Sequence, residues 1–227
     1  PSSSNGSVAL KYGIKSNANN VIIGETESSS NGVGLQIESR QTGRSGDARI
    51  AQIGLKNDAT GDGQISFFTA PNGAGVIERM VINSSGYVTK PNTPAFFATH
   101  GGNSASGSTG YITYNTAGAY YNNGNHFNVN GRFTAPVTGI YHFHFHCFVH
   151  SSATQTNIEI ILRRFNSGGG GQTTLTRGFD NKVNGNYGPA VAIAWTGPLT
   201  ATQYVQIYSY NELHHANGYY FGGYLVG

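Results

Sequence analysis

Charged side chains are scarce in this sequence. Asp, Glu, Lys and Arg make up 10% of the 227 residues, whereas soluble proteins average about 25%. The 13 basic residues exceed the 10 acidic ones by only three, and they form no Lys or Arg run. Nucleic-acid binding therefore has no electrostatic basis here. Nor does any apolar run reach the roughly 18 residues that a membrane-spanning helix needs, so we expect no membrane insertion.

Cysteine is almost absent. The single Cys147 excludes an internal disulfide and a cysteine-rich zinc site. It lies inside the aromatic run "HFHFHCF", which predicts a buried thiol that packs as a small apolar group.

Catalytic motifs are also missing. Glycoside hydrolysis needs two carboxylates placed across a sugar, but residues 91–227 contain only Glu159, Asp180 and Glu212 as acids. The sequence has no Gly-x-Ser-x-Gly elbow, phosphate-binding loop or His-Glu-x-x-His motif. We therefore do not expect an enzyme.

The chain is rich in sequence patterns that are typical of strands and turns. Apolar residues alternate with period two in short runs, and 33 glycines separate many of these runs. Asn-Gly, a dipeptide that favours hairpin turns, occurs seven times, for example at Asn72-Gly73, Asn123-Gly124 and Asn130-Gly131. The sequence predicts an all-β protein.

The composition changes near residue 90. Residues 1–90 carry 15 of the 23 charged side chains, and "TKPNTP" (89–94) places two prolines at the change. Proline stiffens a connector and ends a sheet. We therefore predict two domains, at about 1–90 and 91–227.

The first domain has strand-like runs at "SVALKY", "VGLQIES", "ARIAQIGLK", "QISFFT" and "VIERMVI". These runs are short and carry few large apolar residues, so a single copy would bury too little surface to be stable alone. Several copies of the chain that share one core would bury enough apolar surface.

The stretch "QISFFTAPNGAGVIERMVINSSGYV" (64–88) also resembles a segment common in phage tail-fibre and related virion proteins. This resemblance implies a trimeric, intertwined β shaft; an ordinary β-meander is the alternative.

The second domain contains Phe133, then Gly139, then Tyr141, Phe143 and Phe145 at alternate positions. This pattern resembles the globular head of complement C1q and its relatives, the C1q/TNF-like jelly roll. "TPAFFATHGG" resembles the first strand of that family, "GPLTATQYVQIYSY" (197–210) the strand before the last, and "YYFGGYLVG" (219–227) the last. The resemblance implies a sandwich of about eight to ten strands that forms trimers through its inner sheet.

Three histidines alternate with the aromatic residues of this strand. If Tyr141, Phe143 and Phe145 fill the core, the side chains of His142, His144 and His146 point to the other face. The family resemblance turns that face toward the trimer axis. Two hypotheses follow: the histidines hold a transition metal on the threefold axis, or they pack and hydrogen-bond between subunits. On either hypothesis, we expect the trimer to loosen below about pH 6.

Loops rich in Asn, Gly, Tyr and Ser follow many of the strands, and this composition suits adaptable recognition, including stacking on sugar rings. As a set they are the predicted contact surface, although each residue singly could be an ordinary solvated turn. The candidate binding residues are Tyr120, Tyr121, Asn123, Phe179, Asp180, Tyr187, His214, His215 and Tyr219.

Together these features predict a homotrimeric virion fibre or spike protein. Its C1q-like head would bind a glycan or protein of a host cell surface, and its shaft would contact other virion proteins. The alternatives are a bacterial extracellular C1q-like adhesion protein, secreted or held at the cell surface, and a purely structural decoration or joining protein of the particle.

Overall fold

The computed structural model describes residues 34–41, 43, 45, 48–57, 60–99, 110–114, 119–148, 157–181, 190–210 and 219–227. Its described elements are all β-strands, which confirms the predicted all-β class. No helix in the described ranges is long and apolar enough to cross a membrane. The chain divides into two compact units, Pro1–Pro91 and Asn92–Gly227.

The first unit contains one antiparallel sheet in which consecutive strands pair with each other. The predicted run "SVALKY" lies outside the described residues, and the other four predicted runs coincide with strands. The strands are β1 (Gly34–Arg40), β2 (Arg49–Asn57), β3 (Gly63–Thr69), β4 (Ile77–Ile82) and β5 (Val88–Thr89).

One face of this sheet is apolar. The register places Ile37 opposite Ile53 and Leu55 opposite Leu35 and Ile65, and paired residues of antiparallel strands share a face. In the single chain Ile37 is 59% exposed, and Ile53, Leu55 and Ile65 are also exposed. The opposite face carries polar contacts such as the Lys56–Glu78 ion pair, 3.3 Å between Nζ and Oε2.

The described residues of the second unit form ten strands in two antiparallel sheets, within the predicted range of eight to ten. The first sheet has the order β13-β10-β15-β6-β8, and the second has the order β12-β11-β14-β7, with β9 paired to β14. The strands are β6 (Ala95–Thr99), β7 (Gly110–Tyr111), β8 (Ala119–Asn123), β9 (Phe133–Thr134), β10 (Gly139–Phe148), β11 (Asn157–Phe165), β12 (Thr173–Asn181), β13 (Ala190–Leu199), β14 (Tyr204–Ser209) and β15 (Tyr220–Leu225).

The core between the two sheets combines aromatic and aliphatic side chains. Phe96 stacks on Phe127, with 4.4 Å between ring centres, and on Phe133 at 5.0 Å. Ile160 and Ile207, from strands of the second sheet, belong to the same buried cluster. Burying a Phe or Ile side chain contributes roughly 1.5–3 kcal/mol, so this cluster is the main source of stability in the second unit.

Glycine fulfils the turn role that the Asn-Gly dipeptides predict. Gly73, Gly124 and Gly131 have φ values of 78°, 78° and 72°, in the left-handed region that residues with a Cβ rarely adopt. At Gly131 a Cβ would also lie 2.1 Å from the carbonyl oxygen of Ile112. Both the backbone and the space therefore require glycine at this turn.

Cys147 lies on the core side of β10 and is fully buried. Burial raises the pKa of its thiol to about 12, against the opposing effect of a backbone hydrogen bond with Val191. The thiolate is the reactive form, so this thiol is chemically protected while the unit is folded.

We predict that a thiol reagent such as DTNB at pH 8 modifies native protein only at the rate of unfolding. Chain unfolded in guanidinium should release one thiol equivalent within minutes, which provides the control. Rapid stoichiometric labelling in native buffer would contradict the buried position of Cys147.

Candidate functional site

Strand β10 divides the chain's densest aromatic stretch between two environments. Tyr141, Phe143 and Phe145 are at most 1% exposed and belong to the core. His142 and His146 are half-buried and His144 is exposed on the opposite face. The predicted division of the two sets of side chains between core and surface is confirmed.

Neighbouring strands extend this outward face with aromatic rings. His144 stacks on Phe97 of β6 with 6.1 Å between ring centres. His142 lies 5.3 Å from the ring of Tyr224, and His146 lies 6.1 Å from that of Tyr220. We call this surface the histidine face. Its members are Phe97, Tyr121, His142, His144, His146, Tyr220 and Tyr224.

The histidine face carries no formal charge at neutral pH. The five strands of its sheet, all within the described part of the chain, contain no Asp, Glu, Lys or Arg. By contrast, β11 and β12 of the second sheet carry Glu159, Arg163, Arg164, Arg177 and Asp180. Burying uncharged rings costs far less desolvation energy than burying charges. The two outward surfaces of the sandwich therefore differ in how easily a protein partner could cover them.

The packing around His144 lowers its affinity for protons. Burial lowers the pKa of His144, and the adjacent His142 lowers it further through charge repulsion. His142 Nδ1 forms a 2.8 Å hydrogen bond with Thr196 Oγ1 of β13. The neutral form of His144 is therefore favoured in the folded chain.

The predicted metal site depends on more than one chain. Among the described residues of a single chain, no group of three or more His, Cys, Asp or Glu side chains is arranged to hold a metal ion. The His142 and His144 rings are 6.1 Å apart at their centres and partly stacked. A metal ion at His142, His144 or His146 would thus require ligands from symmetry-related copies, and it stays a prediction.

Four of the predicted binding residues are described with their side chains and lie in strands instead of loops. Tyr121, in β8, stacks on Phe97 at 6.4 Å as part of the histidine face. Asn123 ends β8, and its Nδ2 donates a 2.8 Å hydrogen bond to the Thr93 carbonyl. In β12, Phe179 is 67% exposed and Asp180 is half-buried. A binding role for these four stays a prediction.

Four further predicted binding residues lie wholly or partly outside the described residues. Tyr187, His214 and His215 lie outside the described residues, and so does the side chain of Tyr120.

The prediction that Tyr219 lies on the binding surface is wrong. Tyr219 is 4% exposed and belongs to the core cluster. Its hydroxyl donates a 3.0 Å hydrogen bond to the Thr113 carbonyl, and its ring makes an edge contact with Tyr114 at 5.4 Å. Burial raises the pKa of this phenol, with Cys147 as a second cause. Tyr219 precedes β15, and its side chain faces inward. The Asn- and Gly-rich sequence around it had instead indicated an exposed loop.

Sequence reasoning missed a second cluster, on the outward side of the other sheet. There, the Arg163 guanidinium lies 3.9 Å from the ring centre of Tyr208 and donates to the hydroxyl of Tyr111 at 3.1 Å. The alternation in "NIEIILRRF" and "YVQIYSY" was a usable signal, because it places Arg163 and Tyr208 on outward positions of two strands.

Comparison with known proteins finds one family model that matches part of the second unit. Residues 95–168 match the family model of the C1q domain, a range that runs from β6 through β11 into the following turn. The predicted resemblance to the C1q-like head is therefore confirmed for residues 95–168. No curated protein matches the sequence.

Three solved structures illustrate what this chain is similar to. The globular domain of zebrafish complement 1qA protein has a TM-score of 0.43 and 18% identity, covering 59% of this chain and 98% of that one. The Eiger TNF of S. frugiperda has a TM-score of 0.46 and 14% identity, with coverage of 60% and 94%. Murine APRIL at pH 5.0 has a TM-score of 0.46 and 12% identity, with coverage of 59% and 99%.

We predict that the folded protein loses stability as the pH falls from 7 to 5.5. Because burial lowers the pKa of His144 and of His126, the unfolded chain binds more protons than the folded chain just below the ordinary histidine pKa of about 6.5. The stability is thus present above that value and is lost on acidification. The melting temperature, recorded at both pH values, measures the effect.

The variant His144→Gln separates this histidine from the other titrating groups. We expect its melting temperature to depend less on pH over the same interval. An identical pH dependence in the variant, or a wild-type protein that melts higher at pH 5.5 than at 7, would contradict the assignment to His144.

Proposed function

We propose that this chain is a homotrimeric fibre or spike protein of a virus particle, and that its C1q-like unit adsorbs to a host cell surface. The observation that supports it best is the histidine face, an exposed and uncharged surface on one sheet of a C1q-like sandwich. Domains of the C1q/TNF-like class are often trimeric and act in binding.

Assembly through the histidine face would remove exposed rings from water. Phe97 stacks on both His144 and Tyr220, with ring centres 6.1 and 6.0 Å apart, so these contacts span three strands. Buried apolar area contributes roughly 25 cal/mol per Å², and no charge on these strands opposes that gain. Copies of the chain are the proposed occupants of this face.

The first unit supports assembly by an independent feature. Its sheet presents one apolar face, including Ile37, Ile53, Leu55 and Ile65, that a single copy leaves partly exposed. A shared core of several copies would cover it. The tail-fibre resemblance of residues 64–88 points to a virus particle as the location, and other virion proteins as further partners.

For the histidine rings, we propose packing between subunits in preference to metal binding. Nδ1 of His142 is already engaged by Thr196, and no carboxylate lies on the strands of this sheet to orient a ligating imidazole from behind, as metal sites commonly require. If elemental analysis found one transition metal ion per three chains, the result would support metal binding instead of packing.

A carboxylate placed on the histidine face should break the assembly. We predict that His144→Glu sediments as a monomer at micromolar concentration, because symmetry would bring three new charges together in a desolvated interface. Arg177→Glu, which puts the same side chain on the outward surface of β12, is the matched control and should remain a trimer. A trimeric His144→Glu protein would contradict the proposed interface.

Adsorption should depend on having three copies. Multivalent attachment raises avidity by about 10²–10⁴ over a single site, so we predict that labelled wild-type chain binds host bacteria at least 100-fold more tightly than the monomeric His144→Glu variant. Cell-binding isotherms across a panel of bacterial strains measure this difference in affinity. A trimer that binds none of these cells would instead favour a purely structural role in the particle.

A further inference from the structure

A second candidate binding surface lies on the outward side of the sheet β12-β11-β14-β7. Arg163 of β11 occupies its centre, opposite Gln206 in the register with β14. Tyr208 of β14 pairs with Tyr111 of β7, and Tyr210 follows β14 directly. We call Tyr111, Arg163, Tyr208 and Tyr210 the arginine cluster.

The guanidinium of Arg163 is held in one position by three tyrosines. Its carbon lies 3.9 Å from the ring centre of Tyr208, within the range of a cation–π contact. Nη1 donates to the Tyr111 hydroxyl at 3.1 Å, and Nη2 donates to the Tyr210 hydroxyl at 3.5 Å. The Tyr111 hydroxyl donates a 3.3 Å hydrogen bond to Gln172 Oε1. Its oxygen can therefore accept the hydrogen bond from Arg163.

Arg163 has donors left over. Guanidinium carries five N–H groups, and the described hydrogen bonds use two of them. The partners of Arg163 in the described part of the chain are tyrosine rings and hydroxyls, and none is a carboxylate; the acid nearest along β11, Glu159, pairs with Arg177 at 3.1 Å. One hydrogen on each of Nη1 and Nη2 thus remains available to an external acceptor, whereas Nε is buried.

Exposed rings flank this cation. Tyr111 and Tyr210 are 38% and 39% exposed, and both make edge contacts with Tyr208, at 5.0 and 4.9 Å between ring centres. Tyrosine rings present flat apolar surface at low entropic cost, and sugar rings can lie against such surfaces. A preorganised guanidinium binds a carboxylate through two parallel hydrogen bonds.

A row of aromatic contacts continues from the cluster to a second arginine. Tyr111 meets Phe165 edge-on at 5.7 Å, and Phe165 stacks on Tyr204 at 4.8 Å. The guanidinium carbon of Arg132 then lies 3.9 Å from the Tyr204 ring centre. A ligand longer than one sugar would therefore find a second positive charge further along the same sheet.

We propose that the arginine cluster is the binding site for an acidic saccharide, a glycan unit that carries a carboxylate. The carboxylate binds Arg163 and the sugar ring lies on Tyr210 or Tyr111. This assignment rests on the proposed function, because it identifies where the C1q-like unit would meet a host glycan. It also leaves the histidine face free for assembly, since the two surfaces belong to different sheets.

Binding of the full chain to matched oligosaccharides tests the site. The probes are oligosaccharides that end in sialic acid, glucuronic acid or galacturonic acid, and the same oligosaccharides without the acidic unit. We expect wild-type protein to prefer acidic probes. Arg163→Gln should bind these probes at least tenfold more weakly, because the variant loses a charged hydrogen bond. Arg163→Lys, which keeps the charge without the planar fork, should fall between them.

Two further variants separate binding from folding. Arg177→Gln removes a positive charge from the same surface outside the cluster, and its affinity should stay within twofold of wild type. Tyr210→Ala removes an exposed ring after the end of β14, so it should fold normally and bind several-fold more weakly. Melting temperatures and sedimentation of each variant establish that the trimer is intact.

The outcomes distinguish this site from the proposed function. Wild-type protein that adsorbs to cells but binds acidic and neutral probes equally, or binds no acidic probe, overturns the acidic-saccharide site and leaves host adsorption standing. An Arg163→Gln trimer with undiminished affinity for acidic probes also overturns the site. A trimer that adsorbs to no cells contradicts the proposed function itself, whatever the probes show.

Discussion

The alternation of side chains along β10 is the constraint on which the rest of the second unit depends. A strand sends successive residues to opposite faces, so the sequence Tyr-His-Phe-His-Phe-His-Cys commits one set to the core and the other to the surface. Phe143 can fill the core only if His142 and His144 face outward. A shift of one residue would reverse both sets. Core packing and the histidine face are therefore two consequences of one register.

The sandwich consequently has two outward surfaces of different chemistry. The sheet that contains β10 carries rings without charge, whereas the sheet that contains β11 carries arginines held against tyrosines. Rings without charge suit burial against another copy of the chain, and a fixed guanidinium beside exposed rings suits a polar ligand that comes and goes. The two proposals therefore place assembly and recognition on opposite sides of one small fold.

Much of this arrangement could be predicted from the sequence, because it depends on local alternation and turn chemistry. The core positions of β10, the run at "YYFGGYLVG" and the glycine turns at Gly124 and Gly131 all follow from patterns a few residues long. The same reasoning failed at Tyr219, since the inward direction of a residue between a loop and a strand depends on a distant acceptor, the Thr113 carbonyl.

The arginine cluster shows the other limit of sequence reasoning. Tyr111, Arg163 and Tyr208 are far apart in the chain, and only the pairing of β7, β14 and β11 brings them together. Composition pointed to loops as the binding surface, whereas Phe179 and Asp180 proved to lie in a strand. Local alternation places Arg163 and Tyr208 on outward positions of their strands, but strand order is a global property and it decides that these residues meet.

The most direct test of the account is the reactivity of His144 toward diethylpyrocarbonate, followed by mass spectrometry of the native protein. In the single chain His144 is exposed, although one side of its ring lies against Phe97, so strong protection requires that another copy covers the histidine face. The account predicts that His144 reacts much more slowly in the wild-type protein than in chain unfolded by denaturant. Equal rates in the two states would show that the face is open to water and would contradict the proposed assembly.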